Sequence, residues 1–449
     1  MQKIIIKNFG AIKEAEIDIK QVLILIGEQA SGKSTIAKLI YFFQGLPNSV
    51  LEGIKVNGET DTYITGTNRD FEIYALNKIK ANTSIVFHYS NDIFITIKGI
   101  SNKNFLVEFN DSIKTLIKKA KEKYNLDKEQ APKIDKDFQN KETSLQESFI
   151  NYSNQFFNKL YSNLFKDILD IFKTSANDSH FLVASRGGTI GSDLFEKYQF
   201  AAYSEKQNTG DEKLLFDFLV SSSRTKDYFK NRGGTFENLL TETEKNDSTL
   251  KAEKIIEKIL KGNYVVSNSG EFIRLHNGEF IPLNQTSSGQ QESIRILQNL
   301  FLVIANKKPA LRVVEEPEAH LFPIAQKQMV ELLALMVNQN EGNTLIITTH
   351  SPYILTSFNN LLCAYQVVKK HPDTEAEVAR IVDKEFRLNS KDFSAYTLVS
   401  DIDTGDYISQ NILSEQGLIK ADYLDEVSEI LGSEFNKLLS INSKKFVRR

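Results

Sequence analysis

Gly27-Glu28-Gln29-Ala30-Ser31-Gly32-Lys33-Ser34 has the spacing of a loop that grips phosphate. Glycines let such a backbone curl until several amide N–H groups point inward at phosphate oxygens. Lys33 adds a point charge for β- and γ-phosphates, and the Ser34 hydroxyl can ligate Mg²⁺ before Thr35 continues into a helix. A second cluster, Glu315-Glu316-Pro317-Glu318-Ala319-His320-Leu321, closes the apolar run Leu311-Arg312-Val313-Val314. A carboxylate at the C-terminal end of a parallel strand stands beside such a loop. Glu315 is then suited to hold Mg²⁺, and Glu316 to orient and activate a water. A Glu-Glu pair alone is more often a solvated helix start, but this one ends an apolar strand and precedes Pro317.

Asn343–Ser351 forms the next strand-like run and ends at His350, which could donate a hydrogen bond to a γ-phosphate. Thr286-Ser287-Ser288-Gly289-Gln290-Gln291-Glu292 opens a helix, and two readings stand side by side. One is an ordinary serine N-cap. The other is a second anion site, formed by Ser288, Gly289 and Gln290, for a phosphate presented by another copy of the chain.

These groups need elements that bring them together. Gln21-Val22-Leu23-Ile24-Leu25-Ile26 reads as a strand buried on both faces, stopping at Gly27, with a helix from about Lys33 to Phe43. Residues 1–110 are expected to form an N-terminal lobe with β-like stretches at Ser84–Tyr89 and Asp92–Ile97. Residues 111–180 carry helical spacing at Ile113, Leu116, Ile117, Ala120 and Tyr124, then at Leu145 through Ile168. That insertion is either a helical subdomain packed on the core or a protruding arm. Residues 181–260 start with the strand Phe181–Ala184 and turn mainly helical. Residues 261–369 hold the hairpin Tyr264–Leu275 and the second motif cluster, and 370–449 is expected to be a docking or capping region.

The bulk properties set outer bounds. With 449 residues and 41% hydrophobic content, two or three globular units and a sizeable core are expected. A net charge of −3 gives no global attraction to nucleic acid or anionic lipid. Cys363 is the single cysteine, so no intramolecular disulfide can form and a reducing cytoplasm is expected. The N-terminus opens as a β-like run rather than a signal peptide, and no apolar run reaches ~18 residues, so no membrane partner is expected.

Taken in order, the motifs resemble those of ABC-type ATPases, in the branch of SMC, RecF and OLD-like proteins. Ile6–Ile12 resembles the first strand and turn of those heads, Gly27–Ser34 their Walker A loop, and Ser287-Ser288-Gly289-Gln290-Gln291 their signature. Gln290 stands where a second glycine is usual. Glu315–Leu321 resembles Walker B with its D-loop, Thr349-His350-Ser351 the switch histidine, and Ala184-Ser185-Arg186 a segment of this branch; Gln199 is a candidate Q-loop glutamine. The resemblance implies an α/β P-loop fold, a mixed central sheet flanked by helices, with an inserted helical subdomain. It implies ATP and Mg²⁺ as cofactors and a head-to-head dimer in which Ser288 touches ATP held by Lys33 of the other copy. It also implies a separate effector, such as a nuclease, as in Septu-like or PARIS-like anti-phage systems. OLD-type nucleases carry a Toprim domain, and Asp401-Ile402-Asp403 is the one pair after His350 with the spacing for it, in what reads as a loop. The alternative is a RecF-like or SMC-like repair ATPase binding DNA directly, through lysines such as Lys118, Lys119 and Lys121. A transporter's nucleotide domain fits less well, given the inserted helices and the altered signature.

Overall fold

The computed structural model describes residues 1–55, 62–75, 78–132, 143–174, 178–183, 210–240, 245–401 and 404–420, with Glu434, Phe435 and Lys437 beyond. Alternating apolar residues build the first hairpin, β1 (Gln2–Phe9) and β2 (Ile12–Ile19), which bury Ile4, Ile6, Ala15 and Ile17. β4 (Ile79–Ser90), β5 (Ile93–Ser101) and β6 (Asn104–Phe109) extend this half antiparallel from β1. The other half consists of β3 (Val22–Gly27), β7 (Asp178–Leu182), β11 (Ala310–Glu315), β12 (Thr344–Thr349) and β13 (Phe393–Ser400), all parallel to their neighbours in that group. β14 (Tyr407–Asn411) joins the halves, antiparallel to β13 and parallel to β2. The order is β6-β5-β4-β1-β2-β14-β13-β3-β12-β11-β7. A separate three-stranded sheet comprises β8 (Asn263–Ser267), β9 (Gly270–Arg274) and β10 (Phe280–Pro282).

The central parallel strands are apolar throughout because both of their faces are covered. Leu23 and Leu25 enter one core together with Val313 and Ile346, while Val22 and Ile24 enter the other with Val314 and Ile347. The first core is closed by α1 (Lys33–Lys55) and by α3 (Asp111–Glu129) and α4 (Thr143–Phe172). The second is closed by α7 (Asp247–Leu260), α8 (Ser288–Asn306), α9 (Pro323–Asn338) and α10 (Pro352–Lys370). The remaining helices are α2 (Thr62–Ala75), α5 (Gly210–Asn231), α6 (Phe236–Leu239) and α11 (Glu375–Ala379).

Ile113, Ile117, Ala120 and Tyr124 of α3 and Leu160, Leu164 and Ile168 of α4 bury into the first core, so the inserted helices pack on the sheet. On this insertion Lys114 pairs with Asp111 and Lys123 with Asp167. α1 runs well past Phe43 to Lys55, with Pro47 inside it. A helix, α2, precedes β4 within the N-terminal lobe.

The largest correction concerns the C-terminal region. Residues after 370 were expected to dock or cap, yet β13 and β14 lie inside the central sheet, between β3 and β2. Ser394 and Thr397 are buried in β13, and their hydroxyls mask the strand's apolar pattern. The Ser394 hydroxyl donates to the Val22 carbonyl at 3.3 Å, which satisfies it inside the sheet. Among the described residues no helix is long and apolar enough to cross a membrane.

Candidate active site

Strand register assembles the site. In β12 Thr349 lies opposite Ile26 of β3, while Thr348 lies opposite Glu315 of β11. Because these three strands are parallel neighbours, the turns after Gly27, Glu315 and Thr349 all leave the sheet at the same end. That end is where ligands sit in open α/β sheets.

The phosphate loop is wound tightly. Gly27 and Gly32 adopt φ of 147° and 103°, which side chains disfavour, and Ala30 adopts 62°. A Cβ on Gly32 would stand 2.9 Å from Ile12 Cγ1, and one on Gly27 3.1 Å from the Leu398 carbonyl oxygen. The loop is therefore seated on β2 and on the unexpected strand β13. Glu28, Gln29 and Ala30 are exposed, while Ser31 and Lys33 are buried. The Lys33 ammonium donates to the Gly27 and Glu28 carbonyls at 2.8 and 2.6 Å, and lies 3.4 Å from Ser31 Oγ. Burial pushes Lys33 down to about 8, against the opposing pull of Glu316, Glu318 and Glu28. Ser34 and Thr35 are half-buried at the start of α1, and Lys78 donates to Thr35 Oγ1 at 3.3 Å.

Glu315, on the end of β11, is buried, and Lys38 Nζ lies 3.8 Å from its Oε1. Lys38 is one helical turn beyond Ser34 and shares its face of α1, so Glu315 sits beside the face that carries the Ser34 hydroxyl. These are two hard oxygen donors, the type Mg²⁺ takes when phosphates and water complete its shell. Among the described residues no group of three His, Cys, Asp or Glu forms an independent metal cage. The residues therefore fit a metal bound together with a nucleotide.

Glu316 turns sharply out of the strand with φ of 42°, its N–H donating to the Thr348 carbonyl at 2.8 Å. A non-glycine residue at positive φ is strained and persists only where its surroundings hold it. Its Oε1 lies 3.2 Å from His350 Nε2, in contact though the two are separated by a strand and a helix. Glu316 and His350 are thus in contact, and the Glu316 charge acts on Lys33.

Sequence reasoning gave no role to Glu318. Its Oε1 accepts from the Thr349 hydroxyl at 2.6 Å and from the His350 N–H at 2.8 Å. Burial raises its carboxyl, against those hydrogen bonds and with the added repulsion of Glu316. A carboxylate two residues past Glu316 was visible, but its partners across the strand were not.

At the start of α8, Ser287 is the N-cap and forms a capping box with Gln290. Gln290 Oε1 accepts from the Ser287 N–H and Oγ, and its Nε2 donates to the Leu260 carbonyl at 2.6 Å. The side chain of Gln290, a residue of the expected anion site, is engaged within its own chain. Ser288 is exposed and Gly289 buried. A Cβ on Gly289 would stand 2.5 Å from the His320 carbonyl oxygen, so the helix start packs directly on the D-loop. His320 Nε2 also lies 3.5 Å from Glu292 Oε1. Ser185, Arg186, Gln199 and Asp403 fall outside the described residues. Asp401 is tied to Lys13 at 2.9 Å and accepts from the Thr404 N–H, as a turn residue does.

The AAA ATPase domain family matches residues 1–355. The lipoprotein-releasing system ATP-binding protein LolD of Neorickettsia sennetsu is 27% identical over 92 residues, 20% of this chain and 38% of that protein. The chain therefore spans well under two thirds of that relative. The SMC head domain from Thermotoga maritima aligns at 11% identity and TM-score 0.36, covering 92% of this chain and 98% of that one. An Smc head domain from Pyrococcus furiosus, bound to the C-terminal domain of ScpA, aligns at 11% identity and TM-score 0.35, covering 96% and 99%. A dimeric ATP-binding cassette with ADP and Pi aligns at 12% and TM-score 0.27, covering 78% of this chain and 89% of that one. With its family matched over residues 1–355, well over half of the chain, this protein belongs to the AAA ATPase domain family.

Proposed function

We propose that two copies of this chain close around ATP and that each completes the other's active site. The observation that supports the proposal is the register that brings the ends of β3, β11 and β12 side by side, with Glu316 Oε1 3.2 Å from His350 Nε2. In this reading the loop amides from Gly27 to Thr35 and the Lys33 ammonium hold the phosphates. Ser34 and Glu315 would hold Mg²⁺, which supplies charge neutralisation on the phosphate oxygens when bound. Glu316 accepts the proton of a water as its oxygen bonds to the γ-phosphorus and the bond to the β–γ bridging oxygen breaks, releasing ADP and phosphate. In this reading His350 steadies the Glu316 carboxylate through their 3.2 Å contact and would donate to a γ-phosphate oxygen.

The signature serves the opposite copy. Ser288 is exposed at a helix N-terminus, where the free N–H groups and dipole favour a phosphate. Self-association is supported by large apolar side chains exposed beside the D-loop and the histidine turn: Phe322 at 74%, Ile324 at 55% and Tyr353 at 54%. ATP can drive closure only through its higher affinity for the closed pair.

We extend the proposal to control of a separate effector, a nuclease, in anti-phage defence. The resemblance of the motif set alone supports this step, and identification of the protein that co-purifies with the chain tests it.

Complementation tests the shared site. Ser288→Arg should bind ATP but not hydrolyse it, and Lys33→Ala should lose binding. An equimolar mixture should hydrolyse ATP faster than either variant, because one of its two composite pockets is intact. A mixture that forms hetero-oligomers yet stays inactive would refute the shared pocket.

A further inference from the structure

We propose that Glu318 is a positioning residue that sets the His350 backbone and, through it, the Glu316–His350 contact. The proposal deepens the catalytic reading above and rests on it. β12 ends at Thr349, where its last partner on β3 is Ile26 and the ladder to β11 has already ended at Thr348. The His350 N–H therefore has no strand acceptor in either ladder. Glu318 Oε1 supplies it at 2.8 Å, and the same oxygen accepts from the Thr349 hydroxyl at 2.6 Å.

A closed ring of hydrogen bonds surrounds this oxygen. The Ser351 N–H donates to Thr349 Oγ1 at 3.0 Å, and the Ser351 hydroxyl donates to Gln326 Oε1 at 2.6 Å. Gln326 Nε2 donates to the Leu321 carbonyl at 2.9 Å, and the Leu321 N–H returns to the Glu318 carbonyl at 2.9 Å. The ring fixes the turn after β11 to the turn after β12. One turn carries Glu316 in its strained φ, and the other carries His350. The acceptor must be strong because two donors share it, which favours a carboxylate. Its second oxygen, Oε2, is buried without a hydrogen-bond partner among the described residues. A few tenths of an ångström lost here would misalign a pair that must meet a γ-phosphate and a water together.

The test compares Glu318→Ala, Glu318→Gln and Thr349→Val by steady-state ATP hydrolysis and by titration with a fluorescent ATP analogue. Glu318→Ala should lower kcat about 10–100-fold while KM and the analogue's Kd stay within about threefold. Glu318→Gln keeps an acceptor oxygen and should recover to within about fivefold of the parent. Thr349→Val should lower kcat, and adding it to Glu318→Ala should cost little more, because both act through one contact. Thr349→Val carries the same prediction where the alanine variant does not fold. A glutamine variant as impaired as alanine, or an effect confined to KM, would overturn the proposal. Lys33→Ala and Glu316→Gln serve as controls. If they hydrolyse ATP at the parent rate, the catalytic reading itself fails. If they are inactive while Glu318→Ala is unimpaired, only the positioning role fails.

Discussion

Gly289 shows how one residue can serve two partners at the level of single atoms. A methyl group there would stand 2.5 Å from the His320 carbonyl oxygen, and backbone cannot move aside as a flexible side chain could. Gly289→Ala should therefore destabilise the protein by about 1–3 kcal/mol and lower its melting temperature, with the helix start pushed off the D-loop. A melting temperature equal to the parent's would show that this contact can relax. The sequence offered Gly289 as part of either a serine N-cap or an anion site, but not as a packing surface against its own chain. The same limit applies to Glu318, whose Thr349 partner lies 31 positions away. Residue type and spacing single out Lys33 and Ser34, at the start of the helix that follows an apolar strand, and Glu315 and Glu316, where another apolar strand ends. They cannot reveal which carboxylate a strand's last amide will find.

At the scale of elements, strands buried on both faces were legible where every residue was apolar, as in Leu23–Ile26 and Leu345–Ile347. β13 escaped notice because Ser394 and Thr397 interrupt its run, and because a strand added from the far end of the chain has no local signal. Polar residues also occur at the outer edge of the parallel half. There β7 carries Asp178, whose Oδ2 accepts from buried Arg312 at 2.7 Å and whose Oδ1 lies 3.0 Å from His180 Nε2. Burial alone would raise the Asp178 carboxyl, but His180 and Arg312 override it and hold the group well below the usual carboxylate range. A depressed carboxyl stabilises the fold above its unfolded pKa and loses that contribution as pH falls. The melting temperature of Asp178→Asn should therefore lie below the parent's near neutral pH. The gap should stay constant down to about pH 4 and shrink below it. A gap that widens on acidification would contradict this assignment of the charge.

At the scale of the molecule, the chain joins a parallel half, which carries chemistry at its strand ends, to an antiparallel half extended from β1. β14 is the seam, and the phosphate loop leans on both sides of it through Ile12 and Leu398. The family and the α/β plan were legible because four motifs occur in one order. The seam was not, because it depends on a register between residues near the two ends of the chain. The central claim is that Lys33, Glu316 and His350 form one hydrolytic site, and it meets its most direct test in ATP turnover and nucleotide retention by Glu316→Gln. The account predicts a fall in kcat of at least about 100-fold, with ATP still bound and retained by a closed oligomer. Turnover at the parent rate would contradict it.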